Sequence, residues 1–141
     1  MQVADAMTKR VVTVDAEVSL HDAADLMLSE CVGSVVVTRD GNPAGILTES
    51  DFVVAGHEYD RPFSEIPVYA AASSPLVTIQ PTATLRSAAA KMTEERIKRL
   101  PVSEGIDLVG IVTATDLLAA QADLDAETRR YLREREEWTV D

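Results

Sequence analysis

Cysteine is nearly missing: the 141-residue chain has one, Cys31. A single thiol rules out an intrachain disulfide and fits a reducing compartment. Aromatics make up 4% of a chain that is 46% apolar, so the core must be built from Val, Leu, Ile, Ala and Met. No apolar run approaches the ~20 residues that span a bilayer. The opening MQVADAMTKR lacks the apolar centre of a secretory signal. The expectation is a cytoplasmic protein with no membrane attachment. Basic residues are scarce as well: 13 Lys and Arg against 24 Asp and Glu give a formal charge of −11. No basic patch is available to neutralise a phosphate backbone, so nucleic acid is not an expected partner. The ten arginines outnumber three lysines; an acidic, lysine-poor surface suits a high-salt cytoplasm.

Catalytic signals are also absent. His21, His57 and Cys31 show no metal-ligand spacing. There is no Gly-rich phosphate loop and no dinucleotide Gly-x-Gly fingerprint, nor a nucleophile placed with a base. No catalytic residue and no enzyme activity are expected. Cys31 reads as a small buried side chain at a helix end, and His21 as an exposed residue of a helix first turn.

What is present is a repeat. Residues 3–55 align with residues 68–120 at a constant offset of 65, without a gap, and fifteen of 53 positions are identical. Val12-Thr13-Val14 meets Val77-Thr78-Ile79, and Leu20, Ala23, Ala24 and Met27 meet Leu85, Ala88, Ala89 and Met92. Gly45-Ile46-Leu47-Thr48-Glu49-Ser50-Asp51 returns as Gly110-Ile111-Val112-Thr113-Ala114-Thr115-Asp116. Two halves of one fold, related by an approximate two-fold axis, are expected.

Each half reads β-α-β-β-α. Val11–Val14 is extended. Ser19 caps a helix whose apolar face is Leu20, Ala23, Ala24, Met27 and Leu28. Cys31-Val32-Gly33 ends it, glycine being common just past a helix end. Ser34–Thr38 and Ala44–Leu47 are strands joined by the turn Asp40-Gly41-Asn42-Pro43. A second helix runs from Thr48 to Gly56. His57–Pro67 reads as a polar surface connector. In the second half Thr84 caps a helix from Leu85 to about Glu95, Leu100–Ser103 and Leu108–Val112 are strands about Gly105, and a helix starts near Thr113. The boundaries are 1–60 and 61–121 for the halves and 122–141 for a charged, helical tail. In that tail Leu124, Thr128, Tyr131, Leu132 and Trp138 form a narrow stripe, either solvated or docked on the domain or a partner.

This arrangement resembles a pair of CBS domains, the Bateman module. The resemblance rests on the VVTV and LVTI segments, the helix after each, and the closing GILTESD and GIVTATD, and it covers about residues 3–120. It implies an α+β fold of tandem CBS domains with two clefts that hold adenosine compounds such as AMP, ADP, ATP or S-adenosylmethionine. It implies no catalytic cofactor. It also implies pairing of modules into a homodimer, and signalling to an effector protein that remains to be identified.

Thr-x-x-Asp has two readings. It is a capping box in form, hydroxyl at N-cap and acid at N3. It is also a ribose site, because a carboxylate accepts from both hydroxyls of a diol. On the ligand reading Asp51 and Asp116 hold the sugar, and Thr48, Ser50, Thr113 and Thr115 with helix-start amides suit phosphate. By resemblance the purine is walled by Val12, Thr13, Val35 and Val36 in one half and by Val77, Thr78, Leu100 and Pro101 in the other. Lys98-Arg99 replaces Gly33-Ser34 of the first half, so Arg99 makes the Asp116 side the better site for phosphorylated ligands. Lys9-Arg10 is a weaker phosphate candidate. The runner-up function is a dimerising scaffold with no physiological nucleotide.

Overall fold

The computed structural model describes the backbone of residues 1–138 and the side chains of residues 1–134. In chain order the elements are α1 (Val3–Ala6), β1 (Thr13–Asp15), α2 (Leu20–Glu30), β2 (Ser34–Arg39), β3 (Asn42–Thr48), α3 (Glu49–Tyr59), α4 (Leu85–Glu95), β4 (Arg99–Glu104), β5 (Asp107–Thr113) and α5 (Ala114–Trp138). Two 3-10 turns, Phe63–Glu65 and Val68–Ala70, lie between α3 and α4.

These elements fall into two units, one of residues 9–78 and one of residues 1–8 with 79–141. In the first, the sheet order is β1-β2-β3, with β1 parallel and β3 antiparallel to β2. The β2–β3 turn is Asp40-Gly41, both at positive φ (53° and 79°), the conformation that a two-residue hairpin needs to match strand twist. One sheet face carries Val35, Val37 and Leu47 into a core with Ala16, Leu20, Ala23, Met27 and Ala55. Alternation puts Val36 on the opposite face. The backbone at Ser73 returns beside β3, exchanging two hydrogen bonds with Ile46 (2.9 and 3.0 Å).

In the second unit β4 and β5 pair in the same register around Gly105-Ile106, a turn in which only Gly105 is at positive φ (66°). The first strand expected at Val77–Ile79 shrinks to one parallel bridge, Ile79 to Val102. Here the segment beside β5 is the N-terminus: Thr8 and Ile111 exchange two 2.9 Å hydrogen bonds. The α1 amides of Val3 and Ala4 donate to the carbonyls of Ala83 and Pro81.

Several expectations need correction. Cys31 is exposed, because it is itself the left-handed residue that ends α2, at φ 55°. Gly33 is not the cap. Leu28 is 77% exposed; only Leu20, Ala23 and Met27 of that face are buried. Helix α3 continues past Gly56 to Tyr59. The connector is not purely a surface loop, since Ile66 (3% exposed) joins the core and its carbonyl accepts the Leu20 amide at 2.8 Å. The charged tail is helical as expected, continuing α5 past residue 121 without a break. Leu124, Tyr131 and Leu132 are exposed at 46%, 58% and 52%, while the Trp138 side chain lies outside the described residues.

Candidate functional site

Each Thr-x-x-Asp closes a strand and opens a helix. Thr48 is the last residue of β3 and the N-cap of α3, and Asp51 is at N3. The Thr48 amide donates to Asp51 Oδ2 at 2.8 Å, and the Thr48 hydroxyl lies 3.2 Å from the same oxygen. In the second copy the Thr113 amide donates to Asp116 Oδ2 at 2.9 Å, and the Asp116 amide donates back to the Thr113 hydroxyl at 3.1 Å. The capping chemistry is therefore present in both copies. It uses one oxygen of each carboxylate. Oδ1 of Asp51 and of Asp116 accepts no hydrogen bond from the described residues, and a carboxylate oxygen has two lone pairs to offer.

The amides are less available than the motif implies. At the start of α5 the Ala114 amide donates to the Lys98 carbonyl at 2.9 Å, and Asp116 N–H is taken up by the cap. Thr115 supplies the remaining first-turn amide. Ser50 and Thr115 are exposed; Thr48 and Thr113 are half-buried.

The hairpin register decides what faces each cap. Arg99, half-buried, pairs directly across from Thr113. Its counterpart Ser34, 7% exposed, pairs across from Thr48. By register, the arginine that sequence spacing picked out lies across from one cap, and a serine lies across from the other. Arg10 forms an ion pair with Glu30, so it is not a free phosphate ligand.

The wall residues divide by face and by unit. The Val12 carbonyl accepts the Val36 amide at 2.9 Å, and Thr13 pairs with Val36 in register. Val35 is fully buried in the core cluster, which leaves only its backbone for a ligand. Leu100 and Pro101 are fully buried. Val77 and Thr78 are half-buried and belong to the unit of residues 9–78.

A recess of about 460 Å³ in that unit has none of these residues in its wall. It is lined by Ala16, Val37, Gly45, Ala72, Arg39 and Tyr69 among others, with the Arg39 guanidinium 6.0 Å from the Tyr69 ring centre. The other copy differs at one point of this wall. Ala72 aligns with Met7, and Met7 Sδ occupies the space beside Gly110, 2.8 Å from where a Cβ would stand. That alanine-for-methionine exchange was visible in the sequence; its consequence was not.

Among the described residues no group of three or more His, Cys, Asp and Glu is placed to hold a metal, and no helix is long and apolar enough to cross a membrane.

Comparison with known proteins agrees with this architecture. The CBS domain family matches twice, over residues 3–58 and 64–123. The chain belongs to the CBS domain family and carries the domain as a tandem pair. It is 34% identical over 123 residues to the CBS domain-containing protein YhcV of Bacillus subtilis, covering 84% of each chain. It superposes on an uncharacterized conserved protein of Pyrococcus horikoshii with a TM-score of 0.77 at 35% identity, over 85% of this chain and 91% of that one. The CBS domain pair of protein MJ0100, solved with 5′-methylthioadenosine and S-adenosyl-L-methionine, matches with a TM-score of 0.78 over 87% of this chain and 97% of that one. At 21% identity that last likeness shows the fold alone.

Proposed function

We propose that this CBS pair is a regulatory module that binds an adenine nucleotide or a related adenosyl compound and signals through a change in conformation or assembly. The carrying observation is the half-used carboxylate. Asp51 and Asp116 each commit Oδ2 to a helix cap, while Oδ1 accepts no hydrogen bond from the described residues, so the cap leaves an acceptor with which a ribose hydroxyl can bond. The MJ0100 pair, of the same fold, holds two adenosyl compounds, which makes such compounds the first to try. Arg99 opposite Thr113 favours phosphorylated ligands at Asp116. Regulation, not catalysis, is the role: occupation by a ligand that prefers one conformation shifts the population that a partner reads.

The test is a thermal-shift panel of AMP, ADP, ATP and S-adenosylmethionine at matched ionic strength, followed by titration of Asp51→Ala and Asp116→Ala. A ligand at a hundredfold excess over Kd stabilises by about 2.7 kcal/mol, a shift of several degrees at this size. Asp116→Ala is expected to lose more AMP and ATP affinity than Asp51→Ala. Equal losses refute the asymmetry. No shift with any adenosyl compound refutes the sensor and leaves the scaffold reading, which the cap hydrogen bonds already support.

A further inference from the structure

Helix α5 carries its own complement. From residue 123 it reads Asp-Leu-Asp-Ala-Glu-Thr-Arg-Arg-Tyr-Leu-Arg. From 123 to 133 the acids precede Thr128 and the bases follow it: Asp123 mirrors Arg133, Leu124 mirrors Leu132 and Glu127 mirrors Arg129, while Asp125 mirrors Tyr131 and Arg130 mirrors Ala126. Every residue from 122 to 134 is exposed. Most helical stability in proteins comes from packing an amphipathic face, so an exposed stretch like this gains from being covered. The geometry points to a second copy of this chain as its cover, with the two α5 helices antiparallel about a two-fold axis at Thr128.

The placement follows from helix geometry. At about 100° per residue, Leu124, Thr128 and Leu132 step about 40° at a time and form one stripe. Asp125 and Arg129 lie together on one flank of it. A two-fold axis through the interface keeps a residue on its flank and reverses its height. Leu124 then meets the other copy's Leu132 at one level. Asp125 meets its Arg129 within about 3 Å of height, and the pair occurs twice. A parallel arrangement instead sets three acids against three acids and is disfavoured.

The charges are available. Arg130 is 3.8 Å from Glu134 within its own helix, but Arg129 has no ion pair among the described residues. Asp125 Oδ1 accepts from the Gln121 side chain at 3.1 Å, and Oδ2 accepts no hydrogen bond from the described residues. This inference does not depend on the ligand reading.

The experiment is sedimentation of the full chain: wild type, Asp125→Arg, Arg129→Asp, and an equimolar mixture of the two variants. The wild type is expected to dimerise. Each variant alone sets like charges together and weakens association by about tenfold or more, because two contacts change sign. In the mixture, one chain presents arginine at both positions and the other presents aspartate at both, so every facing pair is again of opposite sign and a heterodimer is recovered. Both positions are exposed, so far-UV circular dichroism at equal concentration checks that each variant is folded. Three results overturn the inference: a wild type that stays monomeric, dimers that ignore both substitutions because another face pairs, or a mixture that fails to recover.

Discussion

Gly45 and Gly110 begin the two repeated motifs, and their value lies in what passes beside them. A Cβ at Gly45 would stand 2.5 Å from the Ser73 carbonyl oxygen; at Gly110 it would stand 2.6 Å from the Thr8 carbonyl oxygen. Both obstacles are backbone and both belong to two-bond bridges, so a methyl group forces a ladder apart rather than turning a side chain. Gly45→Ala and Gly110→Ala are each expected to lower stability by about 1–3 kcal/mol. Gly56→Ala is the control. Its Cβ meets Phe63 Cε1 at 3.7 Å, an ordinary contact, and inside α3 an alanine gains about 0.5–1 kcal/mol. Urea midpoints at constant slope read out the order; a neutral Gly45→Ala would remove the close-approach account. The same residue-level view explains why Thr-x-x-Asp kept two readings in the sequence. Spacing shows that the carboxylate reaches its own helix start, but only the folded structure shows that the cap takes one oxygen of the two.

At the level of elements, the ends of α2 and α4 show what was legible and what was not. Starts were clear, because Ser19 and Thr84 accept from Asp22 and Ser87 amides at 3.1 and 3.0 Å as their types require. Ends were obscured because the left-handed position holds Cys31 and Arg96, not glycine. The readable mark is the next residue. Val32 and Ile97 amides donate to the Met27 and Met92 carbonyls at 3.0 and 2.9 Å, and Val32 packs on the core. That is the Schellman bond with its apolar contact. Burial of that contact and of the Leu20, Ala23 and Met27 face outweighs a left-handed penalty of about 1–2 kcal/mol. Cys31→Gly and Arg96→Gly should therefore each stabilise by about 1 kcal/mol, after the greater freedom of glycine in the unfolded chain is discounted. Thermal melts of both variants check this, and a drop in midpoint for both contradicts it.

For the whole molecule, the repeat reported which residues are equivalent but not which copy each segment packs against. An offset of 65 is unchanged whether a leading segment stays with its own half or lies on the other, so periodicity is blind to the choice. The units of the structure are 9–78 and 1–8 with 79–141. Ser73 edges β3, and Ile66 and Val68, 3% and 0% exposed, fill the core beneath α2. A fragment ending at residue 60 loses all three, together with the Val68 amide bond to the Val18 carbonyl at 2.8 Å. A fragment of residues 9–78 keeps them. Two buried aliphatic side chains are worth about 1.5–3 kcal/mol each, a large share of the net stability of a domain of this size. Fragment 9–78 should show a cooperative thermal transition, and fragment 1–60 should not. Amide dispersion in proton–nitrogen spectra gives the second readout: spread resonances for 9–78, collapsed ones for 1–60. Equal folding of both would mean that the leading segments add little, and that the sequence repeat, not the spatial unit, is what folds.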